Sequence, residues 1–302
     1  MVASDFIVLL ARQRSGTNPL RSVLGTHPDI FCVPEVFNDH PSQDWKLEVD
    51  VNWANYVATR ARGDLRSVLT AADHRRLFVD FLEYLRAFSD KRCMLIDVKY
   101  NSTHHVMKYW RFISEEPFLF TLLKEEGVRV LNLTRTNYLR YWLSEVKAQL
   151  TQSWESFDEA VVGDTRWYRE KYAGRPQQQD PTVKLDVDET LKTLELCRAE
   201  NEIVQASFAG YENYLELEYS QLFTEPGAAA SEAALDRICE WLGIAPEFAE
   251  RRPQYRKQSA SPLQETIENY AEIAAALRRT PFAACLEDEP LYRIGAAQVT
   301  TS

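Results

Sequence analysis

The residues best suited to chemistry form a short polar stretch directly after an apolar run. Phe6–Leu10 is continuously apolar and is followed at once by the polar residues 12–17, which is typical of a buried parallel strand that ends in a loop. Asn18 and Pro19 suit the cap and first position of a helix. Such a loop would aim backbone N–H groups, hydroxyls and guanidinium groups at one point, beside the positive end of the helix dipole. We therefore predict an anion site here.

The loop departs from two common phosphate-binding patterns. It lacks G-x-x-x-x-G-K-[ST] and it lacks G-x-G-x-x-G, which disfavours a Walker A nucleoside triphosphatase and a dinucleotide-binding fold. The alternative interpretation is an ordinary strand-to-helix turn that contains arginine and serine.

A second polar group follows a second predicted strand. Arg135 follows the predicted strand 128–133. The predicted helix after it has one apolar face, formed by Leu139, Trp142, Leu143, Val146 and Leu150. Ser144 lies off that face, on the side of Asn137 and Arg140. A guanidinium at the end of a strand and a hydroxyl on the helix can hold one phosphate from two sides.

The elements that position these residues indicate an α/β protein. Met94–Val98 and Tyr214–Tyr219 are further predicted strands, and helical periodicity separates the strands. Crossover connections of this kind favour a three-layer α/β/α fold with a central, mostly parallel sheet. We expect a single domain over residues 1–302, with insertions at about 41–90 and 152–188.

Composition excludes several classes of protein. The chain is 45% hydrophobic, which is enough to bury a core, and 35 basic against 45 acidic residues give a net charge of −10. This balance disfavours a nucleic-acid partner. The five cysteines form no C-x-x-C pair and the five histidines are dispersed, so we expect no metal site. There is no signal-peptide pattern and no transmembrane run, and we expect a cytoplasmic location.

Together the motifs resemble the sulfotransferases that use 3′-phosphoadenosine-5′-phosphosulfate (PAPS). Arg14-Ser15-Gly16-Thr17 is similar to their 5′-phosphosulfate loop, and Arg135 followed nine residues later by Ser144 is similar to their 3′-phosphate motif. Residues 217–222 lie where the family usually has Tyr-Glu-Asp, and 235–243 resembles the short helix after it. The segment 255–259 and a predicted helix from the Ser261 cap to Leu277 resemble bacterial members, including those that sulfate glycans and nodulation factors.

The resemblance, which covers most of the chain, implies a set of donor-binding residues. These are Arg12, Gln13, Arg14, Ser15, Gly16, Thr17, Asn18, Arg135, Ser144, Tyr219, Arg256 and Lys257. The chain departs from the family pattern at Ser220 and Gln221, which replace the acidic pair, and at Gln258, which replaces a glycine.

Sulfuryl transfer to an alcohol requires a general base, and several residues are candidates. The resemblance to glycan-type members implies Glu35, whose alternative role is an ion pair with a loop arginine. His104 and His105 are candidates because cytosolic sulfotransferases use a histidine, although a turn is the alternative, and His27 is a weaker one. Lys99 ends a predicted strand and, with Arg14, could stabilise developing charge; the alternative is a solvated lysine.

The predicted function is therefore transfer of a sulfuryl group from PAPS to a hydroxyl of a carbohydrate, a lipid-linked acceptor or a small molecule, without a metal. The product would be adenosine 3′,5′-bisphosphate. A nucleotide-dependent phosphotransferase and a non-catalytic nucleotide-binding protein of the same fold are the alternatives. Six aromatic residues either line a sugar or lipid pocket or pack in the core: Trp45, Trp53, Trp110, Tyr56, Tyr84 and Tyr109. The oligomeric state stays open.

Overall fold

A computed structural model describes residues 5–37, 43–44, 49–60, 71–106, 116–151, 181–224, 229–255 and 261–287. The strands are β1 (Phe6–Ala11), β2 (Ile30–Glu35), β3 (Gln43–Asp44), β4 (Val49–Asp50), β5 (Cys93–Lys99), β6 (Arg129–Thr134) and β7 (Tyr214–Glu218). The helices are α1 (Thr17–Leu24), α2 (Trp53–Arg60), α3 (Ala71–Arg86), α4 (Phe118–Glu125), α5 (Tyr138–Thr151), α6 (Val187–Ser207), α7 (Tyr219–Leu222), α8 (Glu232–Leu242), α9 (Leu263–Thr266) and α10 (Tyr270–Leu277). Tyr100–His105 and Ala283–Leu286 are 3₁₀ helices.

Five strands form a sheet in the order β2-β5-β1-β6-β7. The central β1 pairs in parallel with β5 and β6, and β2 pairs in parallel with β5. Every residue of β1 and of β5 is buried, as expected for strands covered on both faces. The predicted α/β class, with a central parallel sheet and flanking helices, is confirmed.

Strand β2 is absent from the sequence-based prediction. It contains Pro34, which has no backbone N–H and is tolerated in sheets mainly on edge strands. In the observed order β2 lies at the end of the sheet, and its pairing with β5 shifts register between Val33 and Glu35. Among the described strands, β2 has a neighbour on one side only, and this edge position is where a sheet tolerates a proline.

Several predicted boundaries shift by one or two residues. Helix α1 begins at Thr17, two residues before the predicted first position at Pro19. Strand β7 ends at Glu218, and Tyr219 begins α7 instead. The helix predicted near 235–243 is α8, which begins three residues earlier, at Glu232, and ends at Leu242, with the left-handed Gly243 (φ 67°) as its C-cap.

The prediction of one continuous C-terminal helix is wrong, because the helix is interrupted between α9 and α10. Ile267 is extended and forms an isolated parallel bridge with Val183. The backbone N–H of Val183 donates to Thr266 at 2.9 Å, and that of Glu268 donates to Val183 at 2.9 Å. Ser261 does not cap the helix either, since Pro262 takes the cap position without a side-chain bond. The Thr266 carbonyl and the Glu268 N–H thus bond to Val183 where a continuous helix would use them for its own backbone bonds.

The chain divides into two compact units, which are described separately. The first comprises Met1–Gln13, Leu24–Leu133 and Ile203–Glu216, and the second comprises Arg14–Val23, Thr134–Glu202 and Leu217–Ser302. The expectation of a single domain with two insertions stays a prediction.

The core of the first unit combines the sheet with aromatic side chains of α2 and α3. The rings of Trp53 and Phe81 pack edge to face with centroids 5.2 Å apart, and Tyr56 lies 5.1 Å from Phe81. Trp53 and Tyr56 are buried in this core, and Tyr84 packs against it. These three aromatic residues therefore pack in the core and do not line a sugar or lipid pocket. Trp45, Tyr109 and Trp110 lie outside the described residues.

A polar chain crosses the first unit beside that core. The Tyr100 hydroxyl donates to Asn132 Oδ1 at 2.8 Å, and Asn132 Nδ2 donates to the Tyr214 hydroxyl at 2.9 Å. The Tyr214 hydroxyl donates in turn to Glu216 at 2.7 Å. Burial, assisted by Glu216, raises the pKa of Tyr214 well above its usual value, so this hydroxyl stays protonated and keeps its role as donor.

The second unit has a separate core around α5. Leu139 and Leu143 pack with side chains of α9, α10 and the Ala283–Leu286 turn. Leu150, assigned to the same apolar face, is instead 65% exposed. Across the described ranges, no helix combines the length and apolar character needed to cross a membrane.

Replacement of Trp53 tests the aromatic core. We expect Trp53→Ala to lower the free energy of unfolding by about 3–5 kcal/mol, because it leaves a cavity among buried rings. Leu150→Ala is the control, and should change stability by less than about 0.5 kcal/mol because this leucine is exposed. Urea unfolding followed by circular dichroism measures both, and equal effects would contradict a packing role for Trp53.

Candidate active site

The predicted anion loop is a turn with two residues in the left-handed region. Arg14 has φ 61° and Gly16 has φ 90°, and the former is uncommon for a residue with a side chain. The turn leads into α1, whose first backbone bond runs from Leu20 N–H to Gly16 O at 3.2 Å. Helix N-termini carry N–H donors without intrahelical acceptors, and α1 has no acidic residue in its first turn. This end of α1 therefore suits an anion.

The loop and the second predicted motif meet within the second unit. Arg14 Nε donates to Ser144 Oγ at 3.2 Å, although the two residues are 130 positions apart. Arg135 Nη1 donates to the backbone carbonyl of Arg14 at 3.3 Å. Two guanidinium groups and a hydroxyl are thus gathered at the start of α1, in a set of groups suited to phosphate or sulfate oxygens.

The Tyr219 ring packs against this cluster. The Arg135 guanidinium lies over the Tyr219 ring, 5.0 Å from its centroid, and the Phe223 ring packs on it at 5.4 Å. A Cβ atom at Gly16 would come within 2.4 Å of this ring. The ring can approach the turn only because position 16 has no side chain.

The segments that carry Arg135 and Tyr219 are joined by hydrogen bonds. Thr134 Oγ1 donates to the carbonyl of Leu217 at 3.3 Å, and the Thr136 N–H donates to Glu218 Oε1 at 3.3 Å. Glu218 also accepts from the Ser220 N–H and so caps α7. Ser220 and Gln221, which depart from the family pattern, therefore take part in a helix cap.

Arg140 is a site-adjacent residue whose burial the sequence pattern does not reveal. It is only 2% exposed, and its Nη1 donates to the carbonyl of Ser261 at 2.9 Å. Upstream of that segment, the Gln254 N–H donates to Ser22 Oγ of α1 at 3.1 Å. Arg256 and Lys257, between these two anchors, lie outside the described residues.

The remaining charged candidates lie at the carboxyl ends of strands in the first unit. Glu35 ends β2 and pairs with Asp97 of β5, while Lys99 ends β5 and pairs with Ala11 of β1. Arg12 follows β1, and its guanidinium lies 5.7 Å from the centroid of the Tyr100 ring. Carboxyl ends of parallel strands are where open α/β sheets bind ligands.

Lys99 is buried and paired instead of solvated. Its Nζ donates to Asp97 Oδ1 at 2.6 Å, and the two side chains are 8% and 1% exposed. Asp97 is absent from the sequence-predicted residues. Its signal in the sequence is a single acidic residue within an apolar strand, two positions before the lysine.

The histidine candidates occupy turns. His27 is buried, and its Nδ1 accepts the N–H of Asp29 at 3.0 Å. His104 and His105 lie in the 3₁₀ helix, with ring centroids 4.2 Å apart. The carbonyl of His105 accepts from Trp53 Nε1 at 3.1 Å. Among the residues whose positions are described, no group of His, Cys, Asp or Glu side chains is arranged to hold a metal.

Comparison with known proteins adds evidence of a different kind. The chain is similar to nodulation protein H of Rhizobium tropici, with 23% identity over 280 residues, covering 93% of this chain and 92% of that protein. It is also similar to nodulation protein H of Rhizobium meliloti (strain 1021), with 22% identity over 282 residues, covering 92% and 94%. No family model matches the chain.

A crystal structure of a sulfotransferase from Alicyclobacillus acidocaldarius aligns with a TM-score of 0.41 and 14% identity, over 96% of this chain and 98% of that one. The fold class rests on the sheet described above, independently of this alignment. The similarity to nodulation protein H over most of the chain confirms the predicted resemblance to bacterial members of the nodulation-factor type.

The contact between Gly16 and Tyr219 can be tested with a matched glycine. We expect Gly16→Ala to destabilise the protein by about 2 kcal/mol more than Gly210→Ala, because overpacking adds to the left-handed strain. Gly210 has φ 76° and nothing within 4 Å of an added Cβ, so Gly210→Ala adds left-handed backbone strain without overpacking. Urea unfolding of both variants gives the difference, and equal costs would contradict the close packing.

Proposed function

We propose that the protein is a PAPS-dependent sulfotransferase acting on an acceptor hydroxyl. The observation that carries the proposal is the cluster within the second unit, where Arg14 bonds to Ser144 and Arg135 bonds to the Arg14 carbonyl. These residues contribute positive charge and hydrogen-bond donors. The set fits a molecule with phosphate and sulfate groups.

Each part of the donor has proposed partners in the chain. The turn from Arg14 to Asn18 binds the 5′-phosphosulfate with its N–H groups, hydroxyls and guanidinium. Arg135 and Ser144 bind the 3′-phosphate. Arg12, Gln13, Tyr219, Arg256 and Lys257 are the further proposed contacts.

Bound PAPS supplies the sulfuryl group, which forms a bond to the acceptor oxygen as its bond to the 5′-phosphate breaks and that electron pair leaves on adenosine 3′,5′-bisphosphate. Glu35 accepts the proton of the acceptor hydroxyl. A positioned base of this kind contributes about 100- to 10,000-fold. Arg14 and Lys99 hold positive charge for the oxygens on which negative charge develops. The chain's contribution is otherwise positioning, as in phosphoryl transfer.

The proposed acceptor is the hydroxyl of a carbohydrate, with lipid-linked and small-molecule alcohols as further candidates. The nodulation protein H relatives support this choice, since the resemblance is to bacterial members that sulfate glycans and nodulation factors. The net charge of −10 argues against nucleic acid. A cytoplasmic location is part of the same proposal.

Calorimetric titration without metal tests the donor class. We expect adenosine 3′,5′-bisphosphate to bind more tightly than the 2′,5′ isomer or ATP. Arg135→Ala and Ser144→Ala should each weaken binding by about tenfold or more, because each removes a hydrogen bond to a charged group. Arg279→Ala, at an exposed arginine of the same unit, is the control and should bind like the unmodified protein.

Two results would contradict the donor assignment. Tighter binding of ATP, particularly with magnesium, would contradict the sulfotransferase proposal and favour a phosphotransferase. Binding that survives unchanged in both Arg135→Ala and Ser144→Ala would move the nucleotide site elsewhere.

The proposed base is tested by turnover with radiolabelled PAPS and an acceptor found by screening saccharides. We expect Glu35→Gln to lower kcat by about 100- to 10,000-fold, because the amide cannot take the proton. Its affinity for adenosine 3′,5′-bisphosphate should change by less than about twofold. Glu212→Gln, at an exposed glutamate of the first unit, is the control. Near-normal turnover in Glu35→Gln would transfer the role to His104 or His105.

A further inference from the structure

The buried pair Asp97–Lys99 interrupts a strand that is otherwise apolar. The remaining residues of β5 are Cys93, Met94, Leu95, Ile96 and Val98, all buried. Asp97 and Lys99 lie two positions apart, so they share one face of the strand. Their bond is 2.6 Å long, and both side chains are at least nine-tenths buried.

Stability alone gives little reason for this pair. Taking two charges out of water is costly, and an apolar pair of similar volume often stabilises a protein equally well. A buried pair at the carboxyl end of a central strand is therefore better explained by what the lysine does. The carboxyl ends of parallel strands are where open α/β sheets bind ligands.

The register places the pair between other predicted groups of the first unit. Asp97 pairs with Glu35 across β2 and β5, and Lys99 pairs with Ala11, the residue before Arg12. Neighbouring strands are about 4.8 Å apart. The pair thus lies one strand from the proposed base and one strand from the start of the anion loop.

We propose that Asp97 is a positioning residue that orients the ammonium of Lys99 for sulfuryl transfer and acts on the reaction only through Lys99. The proposal rests on the proposed function above. A lysine side chain is long and flexible, and it loses rotamer entropy when it is fixed. The Asp97 bond fixes it before the reactants arrive, so this cost falls outside the reaction step.

A double-mutant cycle on kcat tests the proposal, using Asp97→Asn, Lys99→Met and the double variant. We expect each single variant to lower kcat by about tenfold or more, with the KM for PAPS changed by less than about twofold. The double variant should be no slower than Lys99→Met alone, because Asp97 has no effect once the lysine is gone. A structural role would lower stability without this coupling in kcat.

Two further variants make the comparison secure. Glu116→Gln breaks a lysine–carboxylate pair of similar length, 2.7 Å to Lys124, that is 31% exposed on both sides, and it should leave kcat unchanged. If Asp97→Asn does not fold, Asp97→Leu combined with Lys99→Met removes both charges together. That variant should match Lys99→Met in kcat.

The outcomes separate the two proposals. Unchanged kcat in Asp97→Asn, or losses that multiply in the double variant, would overturn the positioning role. Near-normal kcat in Asp97→Leu/Lys99→Met would overturn it as well. Failure of the unmodified protein to bind adenosine 3′,5′-bisphosphate would instead overturn the proposed function, and this is measured separately by calorimetry.

Discussion

The close contact between Gly16 and the Tyr219 ring determines how the second unit can build its cluster of cations. The turn must be left-handed at Arg14 and Gly16 to lead from β1 into α1, and the ring fills the space that a side chain at position 16 would need. Arg135 lies over the same ring and bonds to the Arg14 carbonyl. The turn, the Arg135 segment and α7 therefore support one another, and loss of one contact weakens the others.

Residues with proposed roles belong to both units. The second unit holds the groups suited to the donor's anions, around Arg14, Arg135 and Ser144. The first unit holds the charged groups at strand ends, Glu35 and Lys99. The chain passes from one to the other between Gln13 and Arg14, inside the loop itself.

Much of the sheet is predictable because buried parallel strands are rich in apolar residues: β1 is apolar throughout, and β5 and β6 are mostly so. Strand β2 was not predicted because it contains Pro34. The break at Ile267 was not predicted because the apolar spacing of a helix persists on both sides of the bridge to Val183. Spacing cannot reveal pairs that only tertiary structure creates. The bond between Asp97 and Lys99 requires the burial of β5, and the bond between Arg14 and Ser144 joins two motifs that the sequence analysis assigned to different phosphates of the donor.

The edge position of β2 has a consequence for behaviour at high concentration. An edge strand offers unpaired backbone groups on which another chain can add a strand, a common route to aggregation. Pro34 removes one N–H from this ladder, and the register shift between Val33 and Glu35 disturbs its regularity. A second molecule that paired with β2, the strand that carries the proposed base, would find an irregular ladder of backbone hydrogen-bonding groups. Prolines and bulges in an edge strand disfavour the addition of a further strand, so the proline that kept β2 from being predicted also makes it a poorer template for pairing.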